Sequence, residues 1–274
     1  MKRPYPHILL FFAIAVGLLA CSSRRQNTAN ALPEELQREA EAASLRAITA
    51  LRTTTEAIDW DALLFLDFLN RKFGHLKLNL DPLQRADDTQ DVFFRIADSA
   101  AEISTEELST YTKGANSLIV RALYCPDHPL PDDFLEQIDA VASKGHYHLT
   151  HAVLALQWAW EKGCLSSRKL RAYWNRLIPE LVAEANQARL ATDLAMEIVS
   201  FLYYIGAGDR VHHEWIEAIV KAQRSDGLWS SKPGGATVNF HSSTLALWSL
   251  LEAVEPNSKS VAMIVGGHDG TAFD

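Results

Sequence analysis

The sequence has few cysteines, an excess of acid over base and almost no strand pattern. Its 274 residues include three cysteines, and 26 lysines and arginines stand against 34 aspartates and glutamates, for a formal net charge of −8. An acidic surface gives no electrostatic reason to bind a phosphate backbone, so we expect no nucleic-acid partner. Alternation of apolar and polar residues, typical of a half-buried strand, is missing, which argues against a β-rich fold.

Two motifs of nucleotide and ester chemistry are also absent. Ser230 and Ser231 lie outside any GxSxG elbow, so serine-hydrolase chemistry has no local support. Gly234 and Gly235 belong to a loop without a GK[ST] element and without a preceding strand, so this loop is not a phosphate cradle. No linker divides the chain after its N-terminal region, which favours one well-buried domain.

The N-terminus has the pattern of a secretory signal peptide. Lys2 and Arg3 form a basic start, and an apolar run follows over residues 8–20. This run is shorter than the ~20 residues that a membrane-spanning helix needs. A signal peptide over residues 1–20 is therefore the better interpretation.

The signal peptide is followed directly by Cys21, in the letters LLAC. This pattern resembles the lipobox of bacterial lipoproteins, and the resemblance implies cleavage before Cys21 and acylation of its thiol and amino group. Ser22 follows, which under the sorting rule of Gram-negative lipoproteins favours the outer membrane. We expect a lipid anchor at Cys21, a polar tether over residues 21–33 and a place in the bacterial cell envelope, on the periplasmic face of the outer membrane.

The rest of the chain predicts an all-α domain over residues 34–255, with a C-terminal tail over 256–274. Amphipathic segments span residues 34–52, 84–101, 132–143, 168–188 and 212–223. Between them lie segments that are apolar on nearly every face and must be buried on every face: 60–69, 115–124, 149–160, 194–205 and 241–251. Such alternation predicts a curved array of about five helical hairpins, an open or abbreviated α/α toroid, with a plain α-solenoid as the alternative.

One turn carries a family resemblance. Gln223, Gly227 and Trp229 have the spacing Gln-x-x-x-Gly-x-Trp, which resembles the repeat of terpene cyclases and protein prenyltransferases. The resemblance implies that Gln223 ends an outer helix, Gly227 turns the chain and Trp229 packs across the Gln223 amide. We expect the amide to satisfy helix-end carbonyls while the indole covers it from water.

The sequence also departs from this superfamily in several motifs. Ala218 stands where the repeat has an aromatic residue, and the acid motif DxDD of the cyclases is absent, so we do not expect terpene cyclisation by protonation. Asp87, Asp88 and Asp91 look like the motif that binds magnesium diphosphate in prenyl synthases, but a second copy is missing. We expect these aspartates to cap the helix that follows them.

Histidines and carboxylates recur at the starts of three successive apolar segments. His148 and His151 share one face of the first, Asp193 and Glu197 share one face of the second, and His241 opens the third. Because inner helices of such an array run parallel, we expect these side chains to converge on one rim. Imidazole and carboxylate ligands suit zinc, and a catalytic zinc would need three of them plus water.

Protein prenyltransferases hold zinc with an Asp and a Cys on one inner helix and a His on the next. Asp193 and His241 match the first and last by position, but Leu194 and Ala195 follow Asp193, so the ligand Cys has no counterpart at that place. Three interpretations stay open for the rim: helix capping, a zinc site, or metal-free acid/base chemistry. His146 precedes the predicted helix, and we expect it to face solvent or to support the ligands from outside.

The remaining cysteines predict a disulfide. With Cys21 lipidated, Cys125 and Cys164 are the thiols left in an oxidising compartment. Each follows the C-terminal end of a successive apolar segment, so both should lie on the rim opposite the histidines. The alternative is two buried free cysteines.

Taken together, these patterns predict a lipid-anchored periplasmic binding or scaffold protein that works through its concave rim. Its partner would be a small molecule or another envelope protein. The alternative is a metal-assisted, zinc-type hydrolase, lyase or transferase with its site at the N-terminal rim of the inner helices. A purely structural envelope protein is the third class. No sequence feature identifies a substrate or a reaction.

Overall fold

The structure, a computed structural model, describes residues 31–78, 80, 92–111, 114–188 and 190–269. Within these ranges all regular secondary structure is helical, so the prediction of an all-α fold is confirmed. In the part of the chain described, no helix has both the length and the apolar character that crossing a membrane requires. Cys21, the signal peptide and the aspartates at 87, 88 and 91 lie outside the described residues.

Ten α-helices are present among the described residues. In chain order they are α1 (Glu34–Thr53), α2 (Trp60–Lys72), α3 (Thr105–Thr110), α4 (Ala115–Leu123), α5 (Phe134–Ala142), α6 (His146–Glu161), α7 (Ser167–Gln187), α8 (Asp193–Tyr204), α9 (His213–Lys221) and α10 (Phe240–Val254). Short 3-10 helices span Val92–Ile96 and Gly208–Arg210. The apolar segments of the sequence correspond to α2, α4, α6, α8 and α10.

The predicted helix over 84–101 is wrong in its described part. Only the 3-10 turn of Val92–Ile96 forms there, and the chain then bends. The buried guanidinium of Arg95 donates to the carbonyl of Ala101 and pairs with Asp127 at 2.7 Å, and Asp98 accepts from the N–H of Ala100 at 2.8 Å. These contacts stabilise a turn in place of a helix, and the short helix α3 follows.

Three of the apolar helices, α2, α8 and α10, meet around one tryptophan. Trp248, on α10, is fully buried, and its ring centroid lies 5.0 Å from that of Phe68 on α2. On α8, Phe201 and Tyr204 approach the same indole at 6.0 and 5.7 Å. Burial of such large aromatic faces from three helices is the main stabilising contribution that this part of the core can make.

Helix contacts follow the chain and then return to its start. α4 packs against α6, α6 against α8, and α8 against α10. α10 also packs against α2 and α1, and the 3-10 helix Val92–Ile96 contacts both α2 and α4. The first and last helical pairs are therefore neighbours.

The turn after α9 uses its glutamine and tryptophan differently from the expected arrangement. The indole N–H of Trp229 donates to the carbonyl of Ile219 at 2.8 Å, so the tryptophan satisfies the end of α9. The amide of Gln223 instead donates to the carbonyls of Gly227 and Ala43, both at 2.8 Å. Because Ala43 belongs to α1, the glutamine links the turn after α9 to the first helix by a hydrogen bond.

Gly227 is required at this junction for two reasons. Its φ is +89°, a region that side chains with a Cβ rarely adopt. A Cβ there would also lie 2.9 Å from the carbonyl oxygen of Arg46 on α1. Arg46 in turn donates to the side-chain oxygen of Gln223 at 2.8 Å, so three residues of the contact interlock.

The chain after α10 folds back over the C-terminal ends of the inner helices. Met263 and Ile264 are fully buried, although the sequence marks them only as part of a tail. Arg71, on α2, donates to the carbonyls of Ala262 and Met263 at 2.8 and 2.6 Å. The carboxylate of Glu161, the last residue of α6, accepts from the N–H groups of Met263 and Ile264.

Cys125 and Cys164 form a disulfide in the structure, with their Cα atoms 6.3 Å apart. Cys125 follows α4 and Cys164 follows α6, two helices that pack directly against one another. The bond joins the two loops at the end of the helices opposite the histidines.

Candidate functional site

The N-terminal ends of four inner helices come together at one rim. These helices are α2, α6, α8 and α10, and they carry Asp61, His151, the pair Asp193 and Glu197, and His241 respectively. We call these five side chains the rim cluster. Convergence follows from the packing of α10 against both α8 and α2, and of α8 against α6.

Other residues cap the helices of the rim. The hydroxyl of Thr192 accepts from a backbone N–H in the first turn of α8 at 3.4 Å, and the side chain of Asn239 does the same for α10 at 2.7 Å. Asp193 and His241 therefore lie inside their helices and are not the N-caps. Helix capping does not account for their presence.

Three members of the rim cluster have the arrangement of a metal-binding group. Asp193, Glu197 and His241 each offer one ligand atom, and these atoms all lie within 4.8 Å of one another. Nε2 of His241 is 3.6 Å from Oε2 of Glu197. In a tetrahedral zinc site with bonds of about 2.0–2.1 Å, neighbouring ligand atoms are about 3.3 Å apart. The Glu197–His241 separation is close to this value, and the widest separation would have to shorten by at most about 1.5 Å.

His241 has acidic neighbours at both ring nitrogens. Its Nδ1 lies 2.8 Å from Oδ2 of Asp61, within hydrogen-bond distance although not aligned with the ring N–H, so we describe the contact as an ion pair. Burial alone would lower the pKa of His241, but its contacts with Asp61 and Glu197 and the charge of Asp193 outweigh burial and raise the pKa to about 10. The imidazole is therefore a cation at neutral pH in this arrangement.

Glu197 carries an unsatisfied oxygen. Its side chain is 4% exposed, and its Oε1 has no hydrogen-bond partner among the described residues. Nε2 of His151 is 4.0 Å away, which is beyond hydrogen-bond length. Carboxylate oxygens with nearly complete burial are ordinarily hydrogen-bonded, ion-paired or bound to a metal, so this atom requires an explanation.

Asp193 is held in place by two hydroxyl groups. Ser242 donates to its Oδ1, and the Tyr147 hydroxyl donates to its Oδ2 at 2.9 Å. Burial, followed by the charge of Asp193, raises the pKa of Tyr147 well above its usual range, which keeps the phenol protonated as a donor. Both donors are neutral, so they orient the carboxylate without cancelling its charge.

The three histidines of α6 have different environments. His151 is partly buried, and burial lowers the pKa of His151 more than the nearby Glu197 raises it, which favours the neutral imidazole. His148 is exposed and lies outside the metal-binding group. His146 begins α6 and does not precede it, and its side chain is 72% exposed while Nδ1 pairs with Glu184 at 2.7 Å. The expectation that His146 faces solvent agrees with this position.

Asp61 belongs to the rim cluster but has no place in the sequence interpretation. It lies at the second position of α2, in the same kind of position that singled out Asp193 and His241. Nearby His241 lowers the pKa of Asp61 although burial acts in the opposite direction and is the larger single effect on this carboxyl, so the aspartate is ionised. The missing information was the contact between the first and last hairpins.

In comparisons with known proteins, no protein-family model, no curated protein and no solved structure matches this chain.

Proposed function

We propose that the protein is a lipid-anchored binding protein of the bacterial cell envelope, and that its rim cluster binds one divalent metal ion of the zinc type. Asp193, Glu197 and His241 would hold the ion. Anchoring through Cys21, on the periplasmic face of the outer membrane, follows from the lipobox resemblance. The metal site follows from the geometry of the rim.

The observation that carries the metal site is the unsatisfied Oε1 of Glu197 within a group of three convergent donors. Asp61, Asp193 and Glu197 bring three negative charges to the rim. His241 pairs with Asp61 and Glu197, and His151, whose lowered pKa favours the neutral imidazole, lies near Glu197 without balancing its charge. One imidazolium leaves the cluster with excess negative charge. A divalent cation would supply the missing partner of Glu197 and take the place of the proton on His241.

The donor set fits zinc better than the hard alkaline-earth ions. One imidazole nitrogen and two carboxylate oxygens are ligands that zinc accepts at 2.0–2.2 Å, whereas calcium takes six to eight oxygens. The thiolate of the prenyltransferase zinc site has no counterpart here, because Leu194 and Ala195 occupy the positions after Asp193. The proposed site is therefore an oxygen–nitrogen site.

Metal analysis of protein purified without an affinity tag tests the proposal. We expect one zinc per chain, and we expect added zinc to raise the unfolding temperature of protein treated with a chelator. Glu197→Gln should weaken zinc binding by at least tenfold, because it removes a charged ligand. Glu184→Gln is the matched control: it changes a carboxylate on the same rim that contacts His146 and lies outside the metal-binding group.

The two variants make the outcome clear. Loss of zinc affinity in Glu197→Gln but not in Glu184→Gln supports the site. Wild-type protein that neither contains nor binds zinc stoichiometrically would overturn the proposal, and the rim cluster would then be an ion-pair network that joins α2, α8 and α10.

A metal-assisted hydrolase, lyase or transferase is the second candidate, and the number of donors favours it. Three protein ligands leave a coordination position for water, the arrangement of catalytic zinc. His151, whose lowered pKa favours the neutral imidazole, lies beside Glu197 and would be the group to accept a proton from such a water. Zinc-loaded protein should then cleave members of a panel of activated esters and phosphate esters. His151→Ala should lower the turnover while zinc affinity stays the same, and inactivity across the panel would leave metal binding as the function.

A further inference from the structure

His241 lies between two carboxylates that contact different ring nitrogens. Nδ1 faces Asp61 at 2.8 Å, and Nε2 faces Glu197 at 3.6 Å. The two contacts come from different helices, α2 and α8, and His241 itself lies on α10. The imidazole thus lies between the two carboxylates, with Nε2 toward the metal-binding group.

α2 contacts the His241 ring through Phe65 as well as through Asp61. The Phe65 ring centroid lies 5.8 Å from that of His241, and Phe65 follows Asp61 by one helical turn on the same face. Oδ1 of Asp61 accepts from the N–H of Ala62 at 2.8 Å, which leaves Oδ2 for the imidazole. The carboxylate is oriented by its own backbone before any ligand binds.

We infer that Asp61 is a positioning residue for the metal site: it holds His241 in the tautomer and orientation that present Nε2 to the ion. The inference rests on the metal site proposed above. A neutral histidine that binds a metal through Nε2 carries its proton on Nδ1, and a carboxylate that accepts this proton fixes the ring and makes Nε2 a stronger ligand. Asp61 does not touch the ion in this arrangement.

Zinc affinity measured by competition with a chromophoric chelator tests the role. Asp61→Ala should bind one zinc with an affinity lower by about 10–100-fold, the usual cost of losing such a partner. Asp61→Asn should lie between this variant and wild type, because an amide oxygen beside Nδ1 can accept its proton but carries no charge. Asp67→Asn is the control, since Asp67 is on the same helix and pairs with Arg71 at 2.8 Å.

Two further measurements separate positioning from a general effect on the fold. The unfolding temperature of metal-free protein should change little in Asp61→Ala, because the Asp61 side chain is 58% exposed. The visible absorption of cobalt-loaded Asp61→Ala should be as intense as that of cobalt-loaded wild type, since the three ligands to the metal remain. If Asp61→Ala loses zinc affinity only because the metal-free protein is itself destabilised, as a lowered unfolding temperature would show, Asp61 has no positioning role.

The outcomes distinguish this inference from the proposed function. If wild type binds zinc and Asp61→Ala binds it equally well, the metal site stands and Asp61 has no positioning role. If wild type binds no zinc, the proposed function fails and the role of Asp61 fails with it. If affinity follows the order wild type, Asn, Ala at constant stability, both are supported.

Discussion

The carboxylate of Glu161 accepts the backbone N–H of Ile264 at 3.2 Å, across a sequence separation of 103 residues. It also accepts from the N–H of Met263 at 3.3 Å and from the Tyr204 hydroxyl. Glu161 is fully buried, and burial outweighs these hydrogen bonds and raises the pKa of Glu161 to about 7. One carboxyl therefore fastens the C-terminal segment to the ends of α6 and α8.

Stability should fall between pH 5 and pH 7.5 because of Glu161. The folded protein binds the Glu161 proton more tightly than an unfolded chain with a pKa of 4.5, so this carboxyl stabilises the fold at low pH and its contribution is lost as the pH rises to about 7. The loss should be about 2–3 kcal/mol. Urea unfolding of wild type and Glu161→Gln at both pH values measures it: the decrease should be smaller in the variant, and parallel pH profiles would contradict the assignment.

The indole of Trp229 should stabilise the fold through its hydrogen bond as well as its size. Trp229→Phe leaves the carbonyl of Ile219 without its donor in a fully buried position, which should cost about 1–3 kcal/mol beyond the loss of packing. Trp174→Phe is the matched control, because Trp174 is equally buried and its Nε1 has no partner among the described residues. Equal destabilisation in chemical unfolding would show that packing alone matters.

Reduction of the Cys125–Cys164 bond should destabilise the protein. The bond closes a loop with a sequence separation of 39, and the loss of unfolded-chain entropy on closing such a loop stabilises by about 3–4 kcal/mol. We expect no reactive thiol from these two residues in denatured, unreduced mature protein. Two titratable thiols per mature chain would exclude the bond, and the Cys125→Ser/Cys164→Ser double variant gives the stability of the open form.

Cys21 should carry the lipid. Labelled palmitate should enter wild-type protein and should be absent from Cys21→Ala, because the LLAC pattern predicts acylation of that thiol. Cell fractionation should then move the variant from the membrane to the soluble fraction. Persistent labelling of the variant, or a mature N-terminus other than Cys21, would overturn the lipoprotein interpretation.

The periodic parts of the fold were predictable, and contacts that close it were not. Apolar residues on every face identify α6 and α10 because burial leaves no other option. In the described part of 84–101 the amphipathic pattern mispredicts a helix, since Arg95 donates to a turn carbonyl that helical periodicity cannot reveal. At the rim, near-equal spacing predicted that His148 or His151, Asp193 or Glu197, and His241 would meet; in the structure Asp193, Glu197 and His241 lie together with His151 beside Glu197, and His148 is exposed.

Asp61 and Glu161 were missed for a related reason. Asp61 meets His241 only because α10 packs against α2, and such a contact between the two ends of the domain leaves no local pattern. Glu161 is the last residue of a strongly apolar helix, so the sequence suggests only that it ends the helix. In the structure it binds the segment after α10, which we predicted to be a tail. Both are polar residues whose partners lie far along the chain.

The contact of α10 with α1 and α2 also has a consequence for how the molecule is made. α2 is apolar on nearly every face, and its cover includes a helix that begins about 170 residues later. During synthesis the first hairpin must therefore remain without this cover until the final one has been produced. Premature termination would release a chain whose apolar helices are exposed to water. We therefore expect partial products to bind chaperones or to be degraded.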